Sequence, residues 1–348
     1  GGFLILATSI LFSIRKKWSY AVATGAAGIL PLLIIGIISL LNGWFILPNP
    51  ILLKGNIPDF SSTEKIIKFF TYFAYNLAKN PHILVLISIS LGLFILQTNR
   101  KNWPKNNRAV MNMIFIIITL LHLQFGKTGW FYRYEAYLMA LGLFVIAAGL
   151  QKYLPESIFK MEKRLIPKYA AVALLILTII SPLAARAFLS LVETPQATKN
   201  IHEQQYQMGL FVKEFYNGKS IAANDIGAID FLADVKIVDL WGIGSLEIAM
   251  AKRGGYYNAE YISSLAKSKN VKFAVVYDKW FNNEEIGGLP QEWVKLGEWK
   301  IIENVVCADD AVSFYGVDSL RADTLLVNLK NFSNRLPPDV IQSGKYTE

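Results

Sequence analysis

Long apolar segments fill the first half of the chain, whereas shorter apolar and polar segments alternate in the second half. The apolar runs cover Gly2–Ile14 and residues 21–41, 82–98, 110–125, 136–150 and 169–192. A bilayer core of roughly 30 Å needs about 20 apolar helical residues, a length that most of these runs reach or approach. The pattern predicts a polytopic α-helical membrane domain at 1–192 with about six spans. The first run is short and has no initiating methionine, so we expect the sequence to begin inside a truncated span.

Composition and charge fit a chain with one part in lipid and another part in water. Hydrophobic residues make up 53% of the sequence, and the formal net charge is +9. The basic residues cluster in alternate short loops, at Arg15, Lys16 and Lys17, at Arg100, Lys101, Lys105 and Arg108, and at Lys152, Lys160, Lys163, Arg164 and Lys168. Cytoplasmic loops of membrane proteins carry such an excess. We therefore interpret the positive charge as a topology signal, exclude nucleic acid as a partner, and place everything after about residue 191 outside the cytoplasm.

Beyond residue 192 the hydrophobic pattern changes between strand and helix periods. Strands are predicted at 220–223, 236–240, 272–277 and 312–317, with helices at 200–216, 225–232, 245–253 and 259–267. Alternation of this kind is typical of an α/β domain with a mainly parallel sheet. We predict an extracytoplasmic α/β domain at 193–332. A flexible tail is predicted at 333–348, because Pro337-Pro338 and a low apolar content oppose regular structure.

The first predicted outer loop, at 42–81, contains the candidate binding residues Asn49 and Lys54. Prolines in this loop forbid a continuing helix. Further along, residues 64–77 have apolar side chains at helical spacing and predict an amphipathic helix in the membrane interface. Two interpretations stay open for this helix: an interfacial anchor or a lid over a lipid-linked substrate.

The second predicted outer loop concentrates Arg133, Tyr134 and Glu135 within a run of aromatic residues. Arg133 offers a planar fork of donors that suits a phosphate or a carboxylate. A structural interpretation is equally open, in which Arg133 and Glu135 form an ion pair with each other, or an interhelical ion pair, at the membrane boundary. His82 and His122 have no second ligand at metal-binding spacing, so no metal site is predicted.

Two acidic residues follow predicted strands of the C-terminal domain, Asp225 in Asn224-Asp225-Ile226 and Asp239 before Leu240. Ligands of open α/β sheets bind beyond the carboxyl ends of strands, which makes both residues candidates for ligand binding. The structural alternative is that Asn224 and Asp225 cap a helix while the glycines of Gly242-Ile243-Gly244 permit a tight turn. A third glycine is missing for a dinucleotide-binding fingerprint.

Taken together, the outer-loop motifs Leu47-Pro48-Asn49…Lys54-Gly55 and Arg133-Tyr134-Glu135 resemble the bacterial GT-C glycosyltransferases. The segments at 224–229 and 239–243 resemble the extracytoplasmic domain of arabinofuranosyl- and mannosyltransferase-like members. The resemblance implies a multi-pass protein of the bacterial inner membrane that transfers a sugar from a polyprenyl-phosphate donor to a glycan or lipid acceptor. It implies a catalytic acid upstream of Gly1, with Arg133 and Lys54 stabilising the departing phosphate.

Two other classes compete with this interpretation. A transporter or flippase needs broken helices or ionisable residues near the middle of its spans, and the apolar runs contain almost none. A non-catalytic membrane-anchored binding or assembly protein of the cell envelope is harder to separate from an enzyme fragment. The feature that separates them is whether Arg133 and Lys54 face one cavity, since an anchor has no need of that arrangement.

Overall fold

The computed structural model describes residues 2–58, 60, 62–98, 103–151, 153, 166–282 and 286–348. The chain divides into two compact units, Gly1–Ser190 and Leu191–Glu348, which are called the N-terminal unit and the C-terminal unit below. Helices make up the described part of the N-terminal unit, whereas the C-terminal unit combines helices with a six-stranded sheet.

The helices of the N-terminal unit follow the predicted apolar runs closely. They are α1 (Gly2–Ile14), α2 (Trp18–Leu41), α3 (Asn49–Lys54), α4 (Thr63–Lys79), α5 (Pro81–Gln97), α6 (Asn107–Phe125), α7 (Ala136–Leu150) and α8 (Ile166–Asn200). Helix α8 begins in this unit, crosses the boundary at residues 190 and 191, and continues through a π-helical segment, Ile201–Tyr206, into α9 (Gln207–Tyr216).

Fewer helices than predicted are long enough to cross a membrane. Among the described residues, three qualify by length and composition: Trp18–Leu41, Asn107–Phe125 and Tyr169–Tyr216. Helices α4 and α5 make a fourth only if counted as one span, because they are bent by 95°. The 13 residues of α1 and the 15 of α7 reach only about 20–22 Å. By length, the described helices are compatible with a membrane domain of three or four spans, and the count of about six stays a prediction.

Polar side chains lie inside the N-terminal unit, while its outer surface is apolar. Leu41 is 82% exposed, whereas Ser90 and Asn112 are fully buried. The Ser90 hydroxyl donates to Asn112 Oδ1 at 2.7 Å, and Asn112 Nδ2 donates to Gln97 Oε1 at 3.3 Å. These bonds join α5 to α6 in the manner of interhelical hydrogen bonds in membrane proteins.

The predicted amphipathic helix is confirmed as α4, and hydrogen bonds fix it to the segment around the end of α6. Tyr72 donates to the Gly126 carbonyl at 3.1 Å, and Asn76 Nδ2 donates to the Leu123 carbonyl at 3.0 Å. In return, Gln124 Nε2 donates to the Phe69 carbonyl at 3.0 Å. Because three hydrogen bonds hold α4 in place, the structure favours the interpretation of this helix as a fixed anchor over its interpretation as a moving lid.

The sheet of the C-terminal unit is mixed, which corrects the prediction of a mainly parallel one. Its strands are β1 (Ser220–Ala223), β2 (Lys236–Asp239), β3 (Phe273–Val276), β4 (Val294–Lys300), β5 (Ala311–Gly316) and β6 (Ile341–Ser343), in the order β2-β1-β3-β5-β4-β6. Strand β1 pairs in parallel with β2 and β3. The remaining pairings, β3 with β5, β5 with β4 and β4 with β6, are antiparallel. The parallel half was predicted, whereas β4 and β6 were not.

Helices cover both faces of this sheet. They are α9, α10 (Gly227–Leu232) and α13 (Ser319–Phe332) on one face, and α11 (Leu246–Gly254) and α12 (Ala259–Ser268) on the other. The first face buries an aromatic core around Phe211, whose ring contacts those of Phe273, Phe314 and Trp299 at centroid distances of 5.8, 5.5 and 5.7 Å. The second face is mainly aliphatic. This three-layer arrangement gives the C-terminal unit its own core.

The predicted flexible tail is wrong, because residues 333–348 belong to the folded C-terminal unit. Strand β6 pairs with β4, placing Gln342 opposite Trp299. Leu336, Val340 and Tyr346 are buried in the aromatic core. Burial of these three apolar side chains stabilises the segment. The two prolines do not prevent the strand, because they lie in the turn that precedes it.

Candidate functional site

The loop between α6 and α7 contains a strained left-handed turn. Gly129, Trp130, Phe131 and Tyr132 have φ values of 86°, 51°, 56° and 60°. Glycine adopts this conformation freely, but bulky side chains rarely do. Consecutive aromatic residues in left-handed geometry persist only where the surrounding contacts hold them, and strain of this kind clusters at binding sites.

Glu135 is one of the two groups that hold the turn. Its carboxylate is fully buried, and Oε2 accepts a hydrogen bond from the Gly129 amide at 2.8 Å. The other oxygen, Oε1, lies 3.7 Å from the Arg186 guanidinium and 3.8 Å from His82 Nε2. Of the two ion pairs considered from the sequence, the structure therefore has the interhelical one, between Glu135 and Arg186 of α8, and not the one between Glu135 and Arg133.

Arg186 is the second group that holds the turn. Its guanidinium donates to the Tyr132 carbonyl at 2.7 Å and lies over the Tyr132 ring at 4.6 Å from the centroid. The side chain is 14% exposed. Within the described part of the chain, the Tyr132 carbonyl is its only hydrogen-bond acceptor, so most of the five N–H donors of the guanidinium are not used.

An open groove of about 440 Å³ lies beside this arginine. Phe131, Tyr132 and Met139 line it from the loop and α7, while Leu183 and Arg186 line it from α8. Apart from Ser190, the other lining residues are aromatic or aliphatic, and such a lining around Arg186 suits a ligand that joins an anionic group to an apolar chain. A phosphate bound to a lipid tail has this chemistry.

Apart from the buried Glu135, the residues predicted from the outer loops occupy more exposed positions. Arg133 is exposed, donates to the Tyr134 hydroxyl at 3.2 Å and lies 5.0 Å from the centroid of the Tyr134 ring. Lys54 and Asn49, at the two ends of the short helix α3, are half-buried. The structure brings Glu135 to the groove's arginine, whereas Arg133 pairs with its neighbour. The prediction that Arg133 and Lys54 face one cavity stays a prediction.

In the C-terminal unit, Asp225 follows the end of β1, where the order of the parallel strands reverses. The chain leaves β1 for β2 on one side and later returns to β3 on the other, and ligands of α/β sheets bind at such switch points. Gln205 Nε2 donates to Asp225 Oδ2 at 3.0 Å, and the Tyr277 hydroxyl lies 3.4 Å from the same oxygen. These contacts assemble a polar cluster from the π-helical segment, the end of β1 and the end of β3.

Burial keeps the Tyr277 phenol of this cluster and the nearby Cys307 thiol protonated. Burial, together with the charge of Asp225, raises the pKa of the Tyr277 phenol far above its usual range. Burial also raises the pKa of the Cys307 thiol to about 12, with Asp225 and Glu203 adding to the shift. A thiol with that pKa is a poor nucleophile. The cluster is a set of fixed hydrogen-bonding groups rather than a catalytic pair.

Asp239 and Asn224 have structural roles in this region. Asp239 is buried, and its two carboxylate oxygens accept from the amides of Trp241 at 2.8 Å and Gly244 at 2.6 Å, which closes the glycine turn. Asn224 Oδ1 accepts from the Tyr277 amide at 3.1 Å and so joins β1 to β3. The predicted cap on the following helix is wrong, since α10 begins without a side-chain cap.

Two groups at these sites were missed from the sequence. Arg186 had a clear signal, because it is a lone charge inside a long apolar run, and such residues mark functional positions by default. Gln204 and Gln205 had none. These two adjacent side chains are both buried because the backbone is π-helical there. The amino-acid pattern does not indicate this change of helical period.

Comparison with known proteins concerns the C-terminal unit. Residues 199–315 match the family described as Domain of unknown function (DUF8728), whose description names no activity. The matched range runs from the π-helical segment to β5 and contains Asp225, Asp239 and Tyr277. No curated protein and no solved structure matches the chain.

Proposed function

We propose that this chain belongs to a membrane glycosyltransferase that takes its sugar from a polyprenyl-phosphate donor outside the cytoplasm. The observation that carries the proposal is the placement of Arg186, a cation inside an apolar helix, in a groove of about 440 Å³ beside a strained aromatic turn. The phosphate of the donor binds the guanidinium, and the first isoprene units lie against Leu183 and Met139. The resemblance to the GT-C family supports the same chemistry.

Arg186 suits a phosphate better than a lysine at the same place would. A guanidinium presents its donors in a planar fork that matches two phosphate oxygens at once. The Arg186 side chain is only 14% exposed, and hydrogen bonds of a largely buried guanidinium are stronger than those of one in water. Glu135 balances the charge when no ligand is bound. It acts as a positioning residue, because Oε2 accepts from the Gly129 amide while Oε1 lies 3.7 Å from Arg186 and 3.8 Å from His82.

Arg133 and Lys54 complete the proposal as outer groups. Both belong to loops on the predicted outer side and are accessible to a ligand. In this arrangement they attract the charged headgroup, whereas Arg186 holds it. We therefore expect removal of Arg186 to have a larger effect on affinity than removal of either outer cation.

Binding of farnesyl phosphate to the chain in lipid nanodiscs tests the proposal. A charge-assisted hydrogen bond is worth about 1.5–3 kcal/mol, so Arg186→Gln should weaken binding roughly ten- to a hundredfold. Arg186→Lys should recover part of the loss. The double variant Arg186→Gln with Glu135→Gln removes both charges together and avoids leaving a buried carboxylate unpaired. Arg133→Ala and Lys54→Ala should each cost less than tenfold.

Farnesol provides the matched control ligand, because it has the same chain without the phosphate. A collapsed groove would lose both ligands, whereas a lost phosphate contact affects farnesyl phosphate alone. Farnesyl phosphates that carry mannose or arabinose should compete for the site. Equal affinity of the parent and the double variant for farnesyl phosphate, or failure of every sugar-bearing compound to compete, would contradict the proposal.

The second candidate is a membrane-anchored binding protein of the cell envelope. The polar cluster around Asp225 favours it, because that cluster lies at a sheet switch point and needs no chemistry in the membrane unit. Binding of an envelope glycan that Asp225→Asn abolishes, in a chain that does not bind farnesyl phosphate, would identify this function.

A further inference from the structure

Two basic segments that are distant in the sequence line a single cavity in the N-terminal unit. Arg15, Lys16 and Lys17 come from the turn between α1 and α2, and Lys105 comes from the short 3-10 turn Trp103–Lys105 before α6. The cavity measures about 480 Å³. Arg15 Nε donates to the Pro104 carbonyl and ties the two turns together. Four cations thus line the same cavity. The positive charge that marks cytoplasmic loops does not need side chains of two different loops to meet in this way.

No carboxylate balances this charge within the part of the N-terminal unit that the structure describes. The acidic residues there are Glu64, at the start of α4, and Glu135, which is buried beside Arg186. Lys17 Nζ lies 5.6 Å from the centroid of the Tyr20 ring, a contact that leaves its charge in place. A concave site with several unbalanced cations raises the local concentration of anions.

The backbone of Lys16 gives an independent reason to assign a role to its side chain. Lys16 has a φ of 58°. Its amide donates to the Ser13 carbonyl at 2.9 Å, and the Lys17 amide donates to the Phe12 carbonyl at 2.9 Å. This pair of bonds closes a helix around a left-handed residue, a position where glycine is the usual choice. A lysine there is strained, so the fold alone does not favour it.

The neighbouring residues indicate the depth of the cavity in a membrane. Trp18 and Tyr20 are exposed at the first turn of α2, which is one of the helices long and apolar enough to span. Aromatic residues at the start of a span lie at the headgroup level. The apolar side chain of Ile14 completes the lining on the helix side.

We propose that this cavity binds the phosphate group of an anionic phospholipid headgroup. Basic pockets between membrane helices bind such headgroups on the cytoplasmic side, and the positive charge of these loops predicts that side here. Free phosphate offers the same oxygens, but the exposed aromatic residues and Ile14 favour a phosphate that carries acyl chains. The site uses residues at the start of α6, whereas the groove of the proposed function follows its end, so either proposal stands without the other.

Native mass spectrometry of the delipidated full chain tests this site with dioleoyl phosphatidylglycerol and dioleoyl phosphatidylcholine as probes. The parent should retain phosphatidylglycerol in preference to phosphatidylcholine. Replacing Lys16, Lys17 and Lys105 together by Gln should weaken phosphatidylglycerol binding at least tenfold. Three lysines of the other predicted side, Lys68, Lys79 and Lys127, provide a matched triple Gln control that should change it less than twofold.

Lys16→Gly separates binding from stability. Glycine relieves the left-handed strain, so the variant should melt at the parent temperature or above it in lipid-free detergent. The same variant should bind phosphatidylglycerol about fivefold more weakly. Three results would overturn the proposal: unchanged phosphatidylglycerol binding in the first triple variant, an equal loss in the control triple, or displacement of the lipid by inorganic phosphate at equal concentration.

Discussion

The two units of this chain place polar and apolar side chains in opposite ways. The N-terminal unit exposes Ile29 and Leu41 and buries Ser90, Asn112 and Glu135. The C-terminal unit buries a large aromatic core and pairs its charged side chains on the surface, as Lys295 does with Asp278 at 2.9 Å. The first distribution suits lipid and the second suits water, since lipid offers no partners to polar groups and water favours the burial of apolar ones.

The exposed fraction of a side chain therefore has a different meaning in each unit, because the surrounding solvent decides which residues are tolerated there. Ile29 in α2 and Val327 in α13 are 53% and 55% exposed. In a water-soluble protein both would tolerate a charge. We expect that only Val327 does, because Ile29 would face lipid if α2 spans a membrane. Candidate sites differ in the same way: Arg186 is informative because it is a charge among apolar neighbours, whereas Asp225 is informative through its position in the sheet.

The largest effect is expected in the core of the C-terminal unit. Val275 of β3 is 2% exposed and belongs to the aromatic core. Val275→Asp buries an unpaired charge and should cost more than about 4 kcal/mol of unfolding free energy, enough to unfold the unit. Limited proteolysis of the full chain in detergent should then degrade the C-terminal unit. Val327→Asp is the matched control and should resist proteolysis like the parent; equal resistance of Val275→Asp would contradict its placement.

A smaller effect is expected when a charge replaces an exposed residue of the N-terminal unit. Ile29 lies near the middle of α2, and aspartate at the centre of a membrane helix costs about 2.5–3.5 kcal/mol on insertion scales. Ile29→Asp should lower the fraction of the chain that remains in membranes after carbonate extraction. Val327→Asp, at nearly the same exposure, should leave that fraction unchanged. If the two variants behaved alike, the contrast between the units would be lost.

The smallest effect is expected when a buried asparagine is replaced by alanine in each of the two units. Asn200 and Asn112 are both fully buried. Asn200 accepts from the Val305 amide at 2.8 Å and donates to the Ile302 carbonyl, so Asn200→Ala should cost about 2 kcal/mol. Asn112→Ala should cost about 0.6 kcal/mol, because a polar group released inside a membrane finds other partners. Unfolding in detergent would measure both, and a larger cost for Asn112→Ala would reverse the expected order.

Much of the fold was predictable where the amino-acid pattern was regular. Strand β1 was predicted with its observed bounds, and β3 within one residue at each end, because both are continuous buried runs. Strand β4 was missed because a bulge between Lys295 and Gly297 breaks its alternation. Helix α13 was missed although its signals were present: Asp318 caps it by accepting from the Arg321 amide at 2.8 Å, and its buried apolar residues follow helical spacing.

The candidate sites were predictable in part, for a physical reason. Loop position singled out Glu135, and strand ends singled out Asp225, since both signals are local in the sequence. The partners that define each site are distant: Arg186 reaches Glu135 from α8, and Gln205 reaches Asp225 from the π-helical segment. Only the packing of helices and strands brings these residues together. The hydrophobic pattern of a single sequence does not indicate which distant elements pack against each other.

Photo-crosslinking tests the central claim most directly. A benzophenone derivative of farnesyl phosphate, activated on the chain in nanodiscs, reports which residues surround the bound lipid. We expect adducts on the peptides that contain Tyr132, Met139 and Leu183, which line the groove beside Arg186. Excess farnesyl phosphate, but not farnesol, should suppress them. Adducts spread evenly over the exposed surface of α2, or adducts that Arg186→Gln leaves unchanged, would show that the groove does not bind the lipid phosphate.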